Sequence, residues 1–79
     1  MIPFYIETYG CQMNVSDSQV VARILSDNGY EPCYRWEDAR IVLINTCSIR
    51  ENAEKRVLFR LDFFARIKRK DPQLKVGVL

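Results

Sequence analysis

The run Ile41-Val42-Leu43-Ile44 limits most sharply what this chain can fold into. Four consecutive aliphatic residues suit a strand apolar on both faces, and such strands belong to parallel sheets covered by helices on both sides. The flanking segments supply the helices. Ser16-x-x-Gln19 is a capping box and Asn28-Gly29 a left-handed stop, which predicts a helix over residues 17–28 with Val20, Val21, Ile24 and Leu25 on one face. A second capping box, Ser48-x-x-Glu51, opens a predicted helix over 49–70 that Asp71-Pro72 ends. Glu51 with Lys55 and Asp62 with Arg66 are favourably oriented i,i+4 pairs on it. Strands are expected at Pro3 to Thr8, at Tyr30 to Tyr34 and at Lys75 to Leu79, with Pro32 marking the second as a sheet edge.

Strand, helix, strand, strand, helix, strand defines the class as α/β. The expected architecture is a small, doubly wound, Rossmann- or flavodoxin-like domain of three layers. Its parallel sheet should have about four strands in the order 2-1-3-4, joined by right-handed crossovers. A length of 79 residues allows one domain and one core. The composition, 48% hydrophobic and 28% charged, argues against disorder. No apolar run approaches the roughly 20 residues that span a bilayer, so no membrane partner is expected. The start lacks a basic segment and Glu7 interrupts any apolar stretch, which predicts a cytoplasmic protein without a signal peptide.

Three cysteines, Cys11, Cys33 and Cys47, do not suit a secreted disulfide framework, and the absence of histidine removes the usual zinc partner and acid–base group. Cys11 follows the first strand beyond Gly10, and Cys47 follows the third strand beyond Asn45-Thr46. In a parallel sheet both strands end at one edge, where open α/β sheets bind ligands. Cys47 should sit at a helix amino terminus, whose free N–H groups favour a thiolate, and Gly10 permits a tight turn or close approach to a bulky ligand. Iron–sulfur clusters want thiolates with surrounding N–H donors. Two cysteines do not hold a cluster, so a third just beyond Leu79 is expected. The alternative, that Cys11 and Cys47 are small buried hydrophobes, stays open on topology alone.

The words around these cysteines carry a resemblance. Tyr9-Gly10-Cys11-Gln12-Met13-Asn14 with Ser16-Asp17-Ser18, and Asn45-Thr46-Cys47-Ser48-Ile49-Arg50-Glu51-Asn52-Ala53-Glu54, resemble the first two conserved blocks of the methylthiotransferase family of radical S-adenosylmethionine enzymes. Gln12-Met13-Asn14 and the Arg50 to Glu54 extension are similar to its tRNA-modifying branch rather than the branch that modifies a ribosomal protein. The resemblance implies that residues 1–79 are the amino-terminal domain, cut before the third cluster cysteine. Cys11 and Cys47 would be metal and cofactor ligands of an auxiliary [4Fe–4S] cluster, with no catalytic residue in this segment. It further implies a radical S-adenosylmethionine barrel domain with a second [4Fe–4S] cluster, an RNA-binding β-domain, and tRNA as partner. The whole enzyme would insert a methylthio group at C2 of N6-isopentenyladenosine beside the anticodon. The segment alone should bind iron poorly and catalyse nothing.

Other residues have plainer expectations. Cys33 matches no motif and should be a packing or half-exposed thiol. Asn14 and Asn45 should stabilise turns, or donate to cluster sulfurs. On the long helix Ala53, Val57, Leu58, Leu61, Phe64 and Ala65 form an arc expected to face the sheet. Phe59, Phe63 and Ile67 form a second stripe, which would either dock the barrel domain or another copy, or join the domain's own core. Arg66, Lys68, Arg69 and Lys70 would either meet tRNA phosphate or complement the helix dipole. Tyr34-Arg35-Trp36 would either stack a base or, as the plainer reading, pack its loop. A flavodoxin-like phosphate-binding module would want a glycine-rich loop after the first strand, a thiol redox domain a Cys-x-x-Cys, and neither is present. An interaction domain with inert cysteines is the remaining rival.

Overall fold

Aromatic and β-branched side chains favour extended chain at Ile2–Tyr9, and this is β1 of the computed structural model, which describes residues 1–10, 12–46 and 55–79. It is followed by α1 (Gln12–Asp27), β2 (Tyr30–Pro32), a single 3₁₀ turn (Trp36–Asp38), β3 (Ile41–Thr46), α2 (Lys55–Lys70) and β4 (Lys75–Val78). All pairings are parallel and the strand order is β2-β1-β3-β4, the expected doubly wound arrangement. β2 lies at the edge, as Pro32 requires.

Alternation along the strands separates two faces. Thr8 and Asn45 bond to α1 residues, whereas Glu7 bonds to Arg60 of α2, so the helices cover opposite sides of the sheet. Most of the core lies beneath α2: Val42 and Ile44 from β3, Val57 and Phe64 from α2, and Leu74 before β4. Burying a side chain the size of Phe64 or Ile44 stabilises by roughly 2 kcal/mol each. Trp36 closes this layer with edge-on contacts to Phe63 and Phe64, at ring-centroid distances of 5.2 and 6.0 Å.

Several expectations need correction. The first helix begins at Gln12 rather than residue 17, which puts Ser16 inside it and not at a cap. Tertiary bonding at Asn14 and Ser18 overrides the local capping signal. The expected apolar arc also divides: Val21 and Leu25 are half-buried, but Val20 and Ile24 point to solvent. The line Asn14, Ser18, Val21, Leu25 follows the helical period, and its first two members fix which side faces the sheet. β3 is sealed only on the α2 side, because α1 packs chiefly over β1 and β2 and leaves Ile41 and Leu43 half-buried.

On α2 the sheet-facing arc is rotated from expectation. Val57, Leu61 and Phe64 face inward, but Leu58 and Ala65 are exposed. Phe63 and Ile67 pack against the core, and Phe59 alone of the second stripe remains in solvent. Trp36 causes the rotation by giving Phe63 a partner. The pair Asp62–Arg66 forms as expected, whereas Glu51–Lys55, Ala53 and the second capping box fall on residues outside those described. Among the described residues no helix is long and apolar enough to cross a membrane. Phe63→Ala should cost about 2 kcal/mol in urea unfolding and Leu58→Ala less than about 0.5 kcal/mol, the reverse of the order that helical patterning suggests.

Candidate functional site

β1 and β3 end together. Their register runs to Tyr9 opposite Thr46, so the residues leading into Cys11 and Cys47 stand side by side at the carboxyl rim of the sheet. The two cysteines and residues 48–54 lie outside the described residues. Gly10, at the end of β1, has φ of 128°, in the region that favours glycine, so the chain leaves the strand through a turn that a side chain would strain.

A polar clasp joins the two cysteine-containing blocks. The Asn45 side-chain amide donates to the Asn14 carbonyl at 2.8 Å and to Ser18 Oγ at 2.9 Å. The Asn14 amide donates to Asn45 Oδ1 at 3.3 Å, and Ser18 Oγ shares a 2.7 Å hydrogen bond with Thr8. Asn14 and Asn45 are buried, at 7% and 4% exposure. An unsatisfied amide there would be costly, yet among the described residues no buried side-chain polar atom lacks a partner. Neither asparagine therefore serves only its own turn: together they bolt the start of α1 to the end of β3.

On the other face Glu7 is the second anchor. Only 9% exposed, its carboxylate accepts from Arg60 Nε at 3.0 and 3.1 Å, from Tyr9 at 2.8 Å and from Tyr5 at 3.1 Å. Burial alone would raise its pKa, but the bonds from Arg60 and the two tyrosines, with the Arg60 charge, outweigh that and hold it below the ordinary range. The bond to Glu7 raises Arg60 in turn, while burial and then Glu7 raise both tyrosines. The Arg60 guanidinium also lies 4.9 and 4.7 Å from the ring centroids of Phe63 and Phe64, and Arg56 lies 5.2 Å over Tyr9. The last residues of β1 are thus fixed from both sides.

Cys33 is placed differently. Its N–H donates to the Phe4 carbonyl, and Pro32 pairs with Phe4, five residues short of Tyr9. At strand rise the residue after Pro32 sits about 13 Å below the rim. Its thiol donates to the Arg35 carbonyl at 3.4 Å, and burial pushes its pKa up, away from the thiolate form. Among the described residues no group of three or more His, Cys, Asp or Glu could hold a metal ion, a description that omits Cys11 and Cys47. Of the basic residues at the end of α2, Lys68 donates to the Leu74 carbonyl and Arg66 is paired with Asp62. Trp36 packs the loop as expected, but Tyr34 is 89% exposed.

Sequence inspection placed Asn14 and Asn45 at the rim but assigned them no mutual contact, because their side chains meet across 31 residues of chain. Glu7 gave a fainter signal: strand alternation puts it between Tyr5 and Tyr9 on one face, but nothing local identifies Arg60 as its partner.

Fold and rim together define a doubly wound α/β domain of the kind that takes ligands at the carboxyl edge of its sheet. The chain belongs to the Uncharacterized protein family UPF0004, whose match covers residues 3–79. It is 53% identical over 75 residues to the tRNA-2-methylthio-N(6)-dimethylallyladenosine synthase of Bacillus thuringiensis (strain Al Hakam), covering 95% of this chain and 15% of that protein. Proteins of the same name from Flavobacterium johnsoniae and Azobacteroides pseudotrichonymphae are 55% and 52% identical over 95% of this chain and 16% and 17% of their own lengths. The chain therefore spans about one sixth of the length of these relatives.

Glu7→Gln should destabilise the domain by about 2 kcal/mol at neutral pH, discounted from a fully buried pair because Arg60 is partly exposed. The folded carboxyl has the lower pKa, so its contribution is complete above the ordinary glutamate value of 4.5 and disappears as pH falls through the folded value. Urea unfolding across this range should show the difference between wild type and Glu7→Gln shrinking toward acid pH.

Proposed function

We propose that this chain is the amino-terminal cluster-binding domain of a tRNA methylthiotransferase, with Cys11 and Cys47 as two thiolate ligands of an auxiliary [4Fe–4S] cluster. The observation that carries this reading is the Asn14–Asn45 clasp, which ties the residues just after Cys11 to those just before Cys47. Convergence of this kind is what two ligands distant in sequence need. The pairing of Tyr9 with Thr46 and the turn at Gly10 support it from the strand side.

The available donors fit such a group. Two thiols whose neighbouring residues, Tyr9 and Thr46, pair at one rim would supply soft anionic ligands, and the third ligand would come from another part of the full-length protein. The low position of Cys33 and its raised pKa leave it out of the set. When bound, the cluster supplies the sulfur-transfer chemistry. The chain's own residues hold the two ligand loops at a fixed separation: Asn14, Asn45 and Ser18 from one face, Glu7 and Arg60 from the other. This accounts for a polar network at the end of two strands, where aliphatic packing would stabilise equally well but fix geometry less.

The full-length protein places a methylthio group at C2 of N6-isopentenyladenosine in tRNA. It uses a second [4Fe–4S] cluster and S-adenosylmethionine in a barrel domain, and works in the cytoplasm where tRNA is found. The relatives named above are tRNA enzymes, which favours this branch over the ribosomal-protein one. Anaerobic reconstitution of the full-length protein with iron and sulfide tests the assignment. Cys11→Ala and Cys47→Ala should each lose about half of the cluster iron, the share of one [4Fe–4S] group of two, and Cys33→Ala should lose none. Full iron content in Cys11→Ala would overturn it.

A further inference from the structure

On the face that carries α1 the sheet is wider than its cover. α1 packs chiefly over β1 and β2, which leaves Ile41 and Leu43 of β3 half-buried. The strand register sets Lys75 and Gly77 of β4 beside them on the same face. A Cβ at Gly77 would come within 3.1 Å of Leu43 Cδ2, so the Leu43 side chain leans across this glycine and flattens the floor. One flank of α1 forms a wall. Val15, Gln19 and Ala22 line a cavity with Pro32 and Cys33, which turns that flank toward β2. Helical spacing puts Met13, Val20 and Ile24 on the other flank, toward β3, and all three are more than half exposed. Apolar floor and apolar wall thus meet in a corner open to water. Its two strands span roughly 10 Å, the width of a single helix. The amino end of the corner is cationic. A pocket of about 400 Å³ there is lined by Arg40, Ile41 and Lys75 and, among the described residues, by no carboxylate. Arg40 donates to the Gln73 side-chain carbonyl at 3.0 Å, and Lys75 forms no ion pair with any described residue.

We infer that this corner seats one amphipathic helix from the remainder of the full-length protein, antiparallel to the strands and with its carboxyl end over Lys75 and Arg40. Its apolar stripe covers Ile41 and Leu43 below and Val20 and Ile24 at the side, so it lies beside α1 in one layer at ordinary helix spacing. Charge complementarity fixes its direction. The carboxyl end of a helix carries partial negative charge and unbonded carbonyls, and lysine and arginine side chains satisfy both. The source follows from length, since this chain is about one sixth of its relatives and most of the protein is left to supply the helix. The occupant is not the connection that leads from β4 to a strand beyond it. A right-handed crossover there runs over the α2 face, so the helix comes from a more distant segment. The inference rests on the reading of this chain as part of a longer enzyme, and not on the cluster.

The test is maleimide labelling of the full-length protein, read site by site by mass spectrometry and normalised to the rate in urea. Ile24→Cys places a thiol in the corner, and Ser16→Cys places one on the outer side of the same helix, where it is exposed. The thiol at position 24 should react at least about tenfold more slowly than the one at 16, the protection expected when labelling waits for a local opening. Adding Lys75→Glu should speed labelling at 24 about threefold and leave 16 unchanged, because it sets a negative charge against the helix carboxyl end. Benzoylphenylalanine placed at Val20 and irradiated should capture a peptide of its own chain from beyond residue 79. Equal labelling at 24 and 16, no response to Lys75→Glu, or a captured peptide from residues 1–79 would overturn the inference. A dimer-sized photoproduct would also overturn it and assign the corner to a second copy. Circular dichroism should show every variant folded, as substitutions at exposed positions allow. Iron content of the same proteins separates this from the cluster assignment: it should be unchanged, so a labelling failure with full iron strikes the corner alone.

Discussion

Two buried carboxamides hold the carboxyl rim together. Asn14 lies in the first turn of α1 and Asn45 near the end of β3, and each amide bonds to the other residue. Neither amide could be buried alone without a penalty of about 1–3 kcal/mol, so each requires the other in place. This mutual requirement makes the interaction specific where aliphatic contacts would be permissive. Ser18 and Thr8 extend it to β1, so three elements meet at one network. The start of α1 and its orientation over the sheet follow from it.

The opposite face applies a different constraint to the same strand end. Glu7 gathers Arg60, Tyr5 and Tyr9, and Arg60 in turn rests on the rings of Phe63 and Phe64, which belong to the core beneath α2. An ion pair in this position contributes little net stability after desolvation, but it couples the rim to the best-packed part of the domain. Strand β1 therefore reaches its last residue with polar anchors on both sides. A sheet rim anchored in this way fixes the residues that lead into its loops more closely than free loops could.

Much of this architecture was legible in the sequence. The aliphatic run at 41–44, the glycine stop at Gly29 and the Asp71-Pro72 break follow from local rules, and parallel connectivity then left few strand orders. Helix orientation was not legible. The capping box at Ser16 is a local signal, and it lost to hydrogen bonds made with β3. The position of Phe63 depended on Trp36, a loop residue whose location no helical periodicity encodes. At the rim, the side-by-side ends of β1 and β3 could be derived from topology, but the clasp could not, since its bonds join residues far apart in sequence.

The central claim is that Cys11 and Cys47 are gathered at one rim while Cys33 is kept apart. Dibromobimane, which fluoresces when it bridges two neighbouring thiols, measures this directly on the reduced chain. Mass spectrometry of the native protein should find one intramolecular bridge, between Cys11 and Cys47, lost in urea and weakened in Asn45→Ala. A native protein that forms no such bridge, or that joins Cys33 to either partner as readily, would contradict the account.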